Sequence, residues 1–154
     1  GWVSFNCANV SGSCAASDYK VATTWLGETG GEVNNNWLVS STFDTCLITD
    51  PIPPQEDCGA AINTITWQGD SPSGSRVKFQ IATDCVTGTP PNCAEWNFLG
   101  PTGASSYYQT AWNEPITVAP LNHVNKRYFR YKVFLEPSGN ETPVVEDVII
   151  NWSP

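Results

Sequence analysis

The chain has 154 residues, with 7 Lys and Arg against 15 Asp and Glu and a formal charge of −8. That length suits one ordinary domain, and that charge excludes an unspecific electrostatic grip on nucleic acid or an anionic membrane. Charged residues are only 14% of the chain, Gly and Pro number 12 each and Met is absent, which argues against a helical bundle; no apolar run reaches the length of a spanning helix.

Residues 2–5 carry a weak strand signal, and 19–23 another. The stretch 27–36, with Gly30-Gly31 and Asn34-Asn35-Asn36, reads as a flexible seam. The chain therefore divides into an N-terminal extension or appended hairpin over 1–36 and a body over 37–154. Gly1 reads as a processed end and Pro154 as a natural one.

Within the body a weak strand is expected over 37–43, then a firmer one over 61–67 with apolar residues on both faces. Residues 76–82 alternate, with Val77, Phe79 and Ile81 on one side and Lys78 and Gln80 on the other. Weaker strands follow over 96–99, 107–110 and 116–118. The clearest pattern spans 127–135, where Phe129, Tyr131, Val133 and Leu135 share one face and Arg130 and Lys132 the other. Such period-two alternation of aromatic and β-branched residues marks a half-buried strand. A last strand, 145–152, is partly apolar on both faces. The connectors at 27–31, 69–74, 100–103 and 137–140 are rich in Gly, Pro, Ser and Asn, the chemistry of turns. No segment keeps a 3.6-residue period over three turns. The expected fold class is all-β, an antiparallel β-sandwich of jelly-roll type.

Six cysteines fall in three close couples, Cys7 with Cys14, Cys46 with Cys58 and Cys85 with Cys93. Six cysteines allow 15 connectivities, but each intervening segment reads as a loop, so local pairing is expected. Each short staple would contribute roughly 2–3 kcal/mol. Zinc needs closer cysteine spacing or nearby histidines, and there is one histidine. Three local disulfides imply an oxidising, extracellular location.

Catalytic chemistry is poorly supplied. His123 lies in a polar stretch, Asn122-His123-Val124-Asn125, and reads as a surface loop histidine without a nucleophile beside it. The nucleophile-elbow, zinc-protease and P-loop motifs are absent. A glycosidase needs two facing carboxylates; Glu95, Glu114, Glu136, Glu141 and Glu146 are candidates, but they read better as solvated acids. No enzyme is expected, and no cofactor. Calcium would take loop oxygens, which makes Asp50, Asp57, Asp70 and Asp84 its candidates, with ordinary aspartate turn chemistry as the alternative. Seven Trp and five Tyr are the other resource. Trp67, Trp152, Phe79, Phe129 and Tyr131 read as core. Trp25, Tyr107, Tyr108 and Trp112 lie in or beside loops, where rings could stack on sugars while Gln109 and Asn113 bind hydroxyls. The same rings could instead cap the ends of the fold.

The order Ile65-Thr-Trp-Gln-Gly-Asp-x-Pro-x-Gly74, Val77-Lys-Phe-Gln-Ile-Ala-Thr83, Trp96, Gly100-Pro-x-Gly103 and Tyr107-Tyr108, closing with Arg127-Tyr-Phe-Arg-Tyr-Lys132, Thr142-Pro-x-Val and Asp147-Val-Ile-Ile-Asn-Trp-Ser-Pro154, resembles C-terminal modules of bacterial cell-surface and pilin-like proteins, especially from candidate-phylum bacteria. The resemblance covers about 37–154, with the opening Gly1-Trp-Val-Ser-Phe-Asn-Cys7 similar more loosely. It departs in the cysteine couples 46/58 and 85/93, and it lacks the apolar N-terminal helix of a pilin. It implies a galactose-binding-like or jelly-roll sandwich outside a bacterium and carries no catalytic or ligand residues. The resulting expectation is a non-catalytic structural or adhesive module of a cell-surface assembly. Its partners would be further copies of itself or other surface proteins, reached by edge-strand contact. A carbohydrate-binding module is the alternative.

Overall fold

The computed structural model describes residues 2–4, 37–48 and 59–153. Its strands, in chain order, are β1 (Trp2–Ser4), β2 (Trp37–Val39), β3 (Phe43–Asp44), β4 (Ala61–Asp70), β5 (Arg76–Ala82), β6 (Cys85–Thr89), β7 (Asn92–Trp96), β8 (Tyr108–Gln109), β9 (Ile116–Thr117), β10 (Tyr128–Glu136) and β11 (Val144–Ser153). One sheet has the order β1-β11-β4-β9; a second has β2-β10-β5-β8 with β3 also on β10; β6 and β7 form a hairpin. Every pairing is antiparallel.

The alternation read along β5 and β10 sets their register. Arg130 faces Ala82 and the ladder runs without a break to Glu136 facing Arg76. Phe129, Tyr131, Val133 and Leu135 therefore share a side with Val77, Phe79 and Ile81. They join Ile62, Ile65, Trp67, Val148, Ile150 and Trp152 of the other sheet in one buried cluster. Each large apolar side chain so buried contributes about 2 kcal/mol. Phe43 closes one end, its ring 5.0 Å from Phe129 and 5.3 Å from Trp152.

Two bulges explain why 61–67 and 145–152 looked apolar on both faces. Ile62 faces Trp152 and Thr64 faces Asn151, so Asn63 is an extra residue in β4. The bulge resets the phase, and Ile62, Ile65 and Trp67 all turn inward. Glu146 plays the same part in β11, between Val145 facing Gly69 and Asp147 facing Gln68. Gly69 lies there with φ 149°, and a Cβ on it would sit 2.0 Å from the Val144 carbonyl oxygen. Only glycine fits that approach.

The segment between Cys85 and Cys93, expected as a loop, is a hairpin with Thr89 facing Asn92 across Pro90-Pro91. The Cys85–Cys93 disulfide joins its two strands, as local pairing required. Proline dominates the sequence signal there, yet both prolines occupy the tip, where no ladder hydrogen bond is needed. Cys46 is also disulfide-bonded, while Cys7, Cys14 and Cys58 lie outside the described residues. From the N-terminal segment, β1 pairs with β11, Trp2 facing Asn151 and Ser4 facing Ile149. Among the described residues no helix is long and apolar enough to cross a membrane.

Candidate functional site

Because odd-numbered residues of β5 and β10 enter the core, their even-numbered neighbours share the opposite face. Two cross-strand rows result. Trp37 of β2, Phe134 of β10, Lys78 of β5 and Gln109 of β8 stand side by side in one; Val39, Lys132 and Gln80 stand in the next. Arg130 and Ala82, and beyond the other end Glu136 and Arg76, extend the face. Tyr107 precedes the inward-facing Tyr108 and so turns outward, its ring edge-on to Phe134 at 5.0 Å.

Rings and cations interleave on this face. The Lys132 ammonium lies 4.0 Å from the centre of the Trp37 ring, 5.0 Å from that of Phe134 and 5.8 Å from that of Phe98. Lys78 lies over Tyr107 at 5.3 Å and Arg130 over Trp96 at 5.7 Å. Such contacts contribute about 0.5–1 kcal/mol where exposed and more where water is excluded. Trp37 is 47% exposed and Tyr107 40%, so ring surface remains open to a ligand. Beside the rings the same face is covered, since Gln80 and Ala82 are buried there. The Gln80 amide donates to the Ala104 and Ser106 carbonyls at 2.7 and 3.0 Å, which ties the 100–106 turn to the sheet. A Cβ at Gly100 would lie 2.1 Å from the Ser106 carbonyl oxygen, so this turn also depends on a missing side chain.

The charges are not alike. Lys78 forms an ion pair with Glu136, and Arg130 donates to the Ser40 carbonyl at 2.7 Å. Among the described residues no carboxylate lies within ion-pair distance of Lys132. Burial among the rings lowers the pKa of Lys132, the expected direction for an ammonium losing water without gaining an anion.

Sequence reasoning named only part of this face. Tyr107 and Gln109 belong to it. Tyr108 does not: it is 2% exposed, and its hydroxyl accepts the Ala119 N–H at 3.1 Å. The Gly/Ser-rich flank suggested a loop, but pairing of Tyr108 with Phe79 turns that ring into the core. Trp112 is 56% exposed, and beside it Asn113, in the left-handed region at φ 60°, donates its N–H to the Trp67 carbonyl of β4. That attaches both residues to the other sheet, apart from Tyr107. Trp25 lies outside the described residues. The missed members are Trp37, Lys78, Lys132 and Phe134. Phe134 was visible as a large ring in phase with Arg130 and Lys132, on the side that alternation assigns to solvent.

His123 corrects another expectation. It is fully buried: its backbone carbonyl accepts the Ile62 N–H, and its Nδ1 lies 3.1 Å from the Thr83 hydroxyl. Among the described residues its Nε2 has no partner. Burial, with Lys126 adding and Asp84 opposing, lowers its pKa to about 4. The polar neighbours that suggested a surface loop describe the backbone around a ring wedged beneath it. Of the calcium candidates, Asp84 pairs with Lys126 at 2.8 Å and Asp70 ends β4, exposed; Asp50 and Asp57 lie outside the described residues. Among the described residues no three acidic, histidine or cysteine side chains gather as a metal site would require. Compared with family models, curated proteins and solved structures, the chain matches none.

Proposed function

We propose that the chain is a non-catalytic, extracellular β-sandwich module that works by adhesion at a bacterial cell surface, and that its adhesive surface is carbohydrate-binding. The observation that carries this reading is the platform of Trp37, Phe134 and Tyr107, with Lys132 and Lys78 against the rings and Gln109 at the β8 end of the row. Flat, half-open rings offer apolar faces to sugar C–H groups, and the amide and ammonium groups offer donors to hydroxyls. The shared core of two antiparallel sheets supports the sandwich of jelly-roll type. The Cys85–Cys93 disulfide supports the extracellular location.

A glycan array with intrinsic Trp fluorescence tests the reading. Saturable binding that is lost in Trp37→Ala and Tyr107→Ala, but kept in Trp112→Ala, is the expected result. Binding lost only in Trp112→Ala would move the site to the other sheet. A structural-subunit reading rests on a separate observation: β1 adds an N-terminal strand to the β11 edge. Offered to a neighbour, the same strand would link copies by β-addition. Concentration-dependent oligomers that disappear when residues 1–4 are removed would favour it.

A further inference from the structure

Four of the seven Lys and Arg residues in a chain of net charge −8 stand on one face of one sheet: Arg76, Lys78, Arg130 and Lys132. Among the outward-facing residues of β5 and β10 there is one carboxylate, Glu136, and it is already engaged by Lys78. Arg130 spends one donor on the Ser40 carbonyl and lies over Trp96. Lys132 touches ring faces, and the only acid in the neighbouring rows is bound elsewhere. The rest of the described surface is differently arranged: Lys126 and Arg127, the remaining described cations, are each matched to an aspartate, Asp84 and Asp44. Among the described residues the cations off this face, Lys126 and Arg127, are thus each neutralised, whereas Lys132 sits among rings with no carboxylate in ion-pair distance.

We infer that this face takes an acidic glycan, a polysaccharide of uronate residues, with Lys132 as its carboxylate-binding group and the Trp37, Phe134 and Tyr107 rings as its sugar platform. The inference rests on the carbohydrate-binding reading above and adds the ligand's charge. A partly buried ammonium packed against three rings, with no carboxylate in ion-pair distance among the described residues, gains from acquiring an anion. The rings around it hold it in place without neutralising it, so the cost of ordering the lysine is met before the ligand arrives. Arg76 and Arg130, further along the β5 and β10 rows, give a polyanion successive contacts as it crosses the sheet. Repulsion from the acidic remainder of the chain favours ligands confined to this one face.

The test uses the intact chain, with polygalacturonate as the acidic probe and galactan as the neutral one, read by Trp fluorescence and calorimetry across a salt series. The expected result is saturable binding of polygalacturonate that weakens with salt and falls at least tenfold in Lys132→Gln, in line with loss of a charge-assisted hydrogen bond. Lys132→Arg should retain binding, and Lys126→Gln should leave it unchanged. Thermal melts of each variant separate lost binding from lost folding. Galactan binding as well as polygalacturonate, with Lys132→Gln unaffected, would overturn the acidic ligand and leave the carbohydrate reading standing. Binding of neither, together with blank results on the array, would overturn both. Salt-sensitive self-association abolished by Lys132→Gln, without glycan binding, would assign the face to a second acidic copy of the chain and overturn the inference.

Discussion

His123 ties the stability of the fold to pH, and replacing it with Phe isolates the effect. It is the chain's only histidine, fully buried, with its pKa lowered from 6.5 to about 4, chiefly by burial. Each pKa unit corresponds to about 1.4 kcal/mol, so the folded state favours the neutral ring by roughly 3 kcal/mol. The sign follows from proton uptake. Below about pH 6.5 the unfolded chain binds a proton that the folded chain refuses until about pH 4, so stability present above 6.5 drains away as the pH falls between the two. Urea unfolding followed by Trp fluorescence from pH 7.5 to 4.5 measures it. At pH 7 His123→Phe should lose about 1 kcal/mol with the Thr83 contact. By pH 4.5 the difference should move in the variant's favour by roughly 2–3 kcal/mol, because the Phe chain lacks the acid-sensitive step. Acid limbs that run parallel in the two proteins would mean instead that His123 titrates alike in the folded and unfolded chain.

Gly69→Ala should cost about 2 kcal/mol or more, because the new Cβ meets the Val144 carbonyl at 2.0 Å in a backbone conformation that disfavours side chains; a lowered urea midpoint checks it. Replacing Cys85 and Cys93 by Ser, with eight residues of separation, should cost about 2.5 kcal/mol on loop-entropy grounds, visible as a lower melting temperature and faster amide exchange in β6 and β7. Tyr108→Phe should cost about 1 kcal/mol through the orphaned Ala119 N–H and leave glycan binding untouched. Burial pushes the Asp44 carboxyl up, but hydrogen bonds from Arg127 and the Cys46 N–H hold it lower overall. Asp44→Asn should therefore lower the melting temperature at neutral pH. That penalty should vanish once the pH falls below the depressed Asp44 pKa, where the wild-type carboxyl is protonated too.

The long strands were legible because one physical rule governs them. In β5 and β10 each second residue meets the core, so Val77, Phe79, Ile81, Phe129, Tyr131, Val133 and Leu135 announce their own faces. In β4 and β11 the same rule was blurred by the bulges at Asn63 and Glu146, which insert a residue and invert the phase without any local signal as strong as a turn. The β6-β7 hairpin was hidden because Gly88, Pro90 and Pro91 speak for a loop, whereas the Cys85–Cys93 disulfide and the pairing of Thr89 with Asn92 decide for strands. His123 was misjudged because its neighbours are polar. Its burial depends on Thr83, forty residues away, and on the β4 backbone at Ile62. The candidate site was half legible for a related reason. Lys78, Arg130, Lys132 and Phe134 each show their outward phase along one strand. That Trp37 stands beside Phe134 and Tyr107 packs on it is a matter of register between strands, which periodicity does not carry.

Backbone amide chemical shifts, recorded while the intact chain is titrated with a short oligogalacturonate, locate the sugar site residue by residue. Saturable shifts are expected on Trp37, Lys78, Tyr107, Gln109, Lys132 and Phe134, with the β4 and β11 faces and the Trp112 region silent. Shifts centred on Trp112 and Asn113, or none at millimolar sugar, would contradict this site assignment.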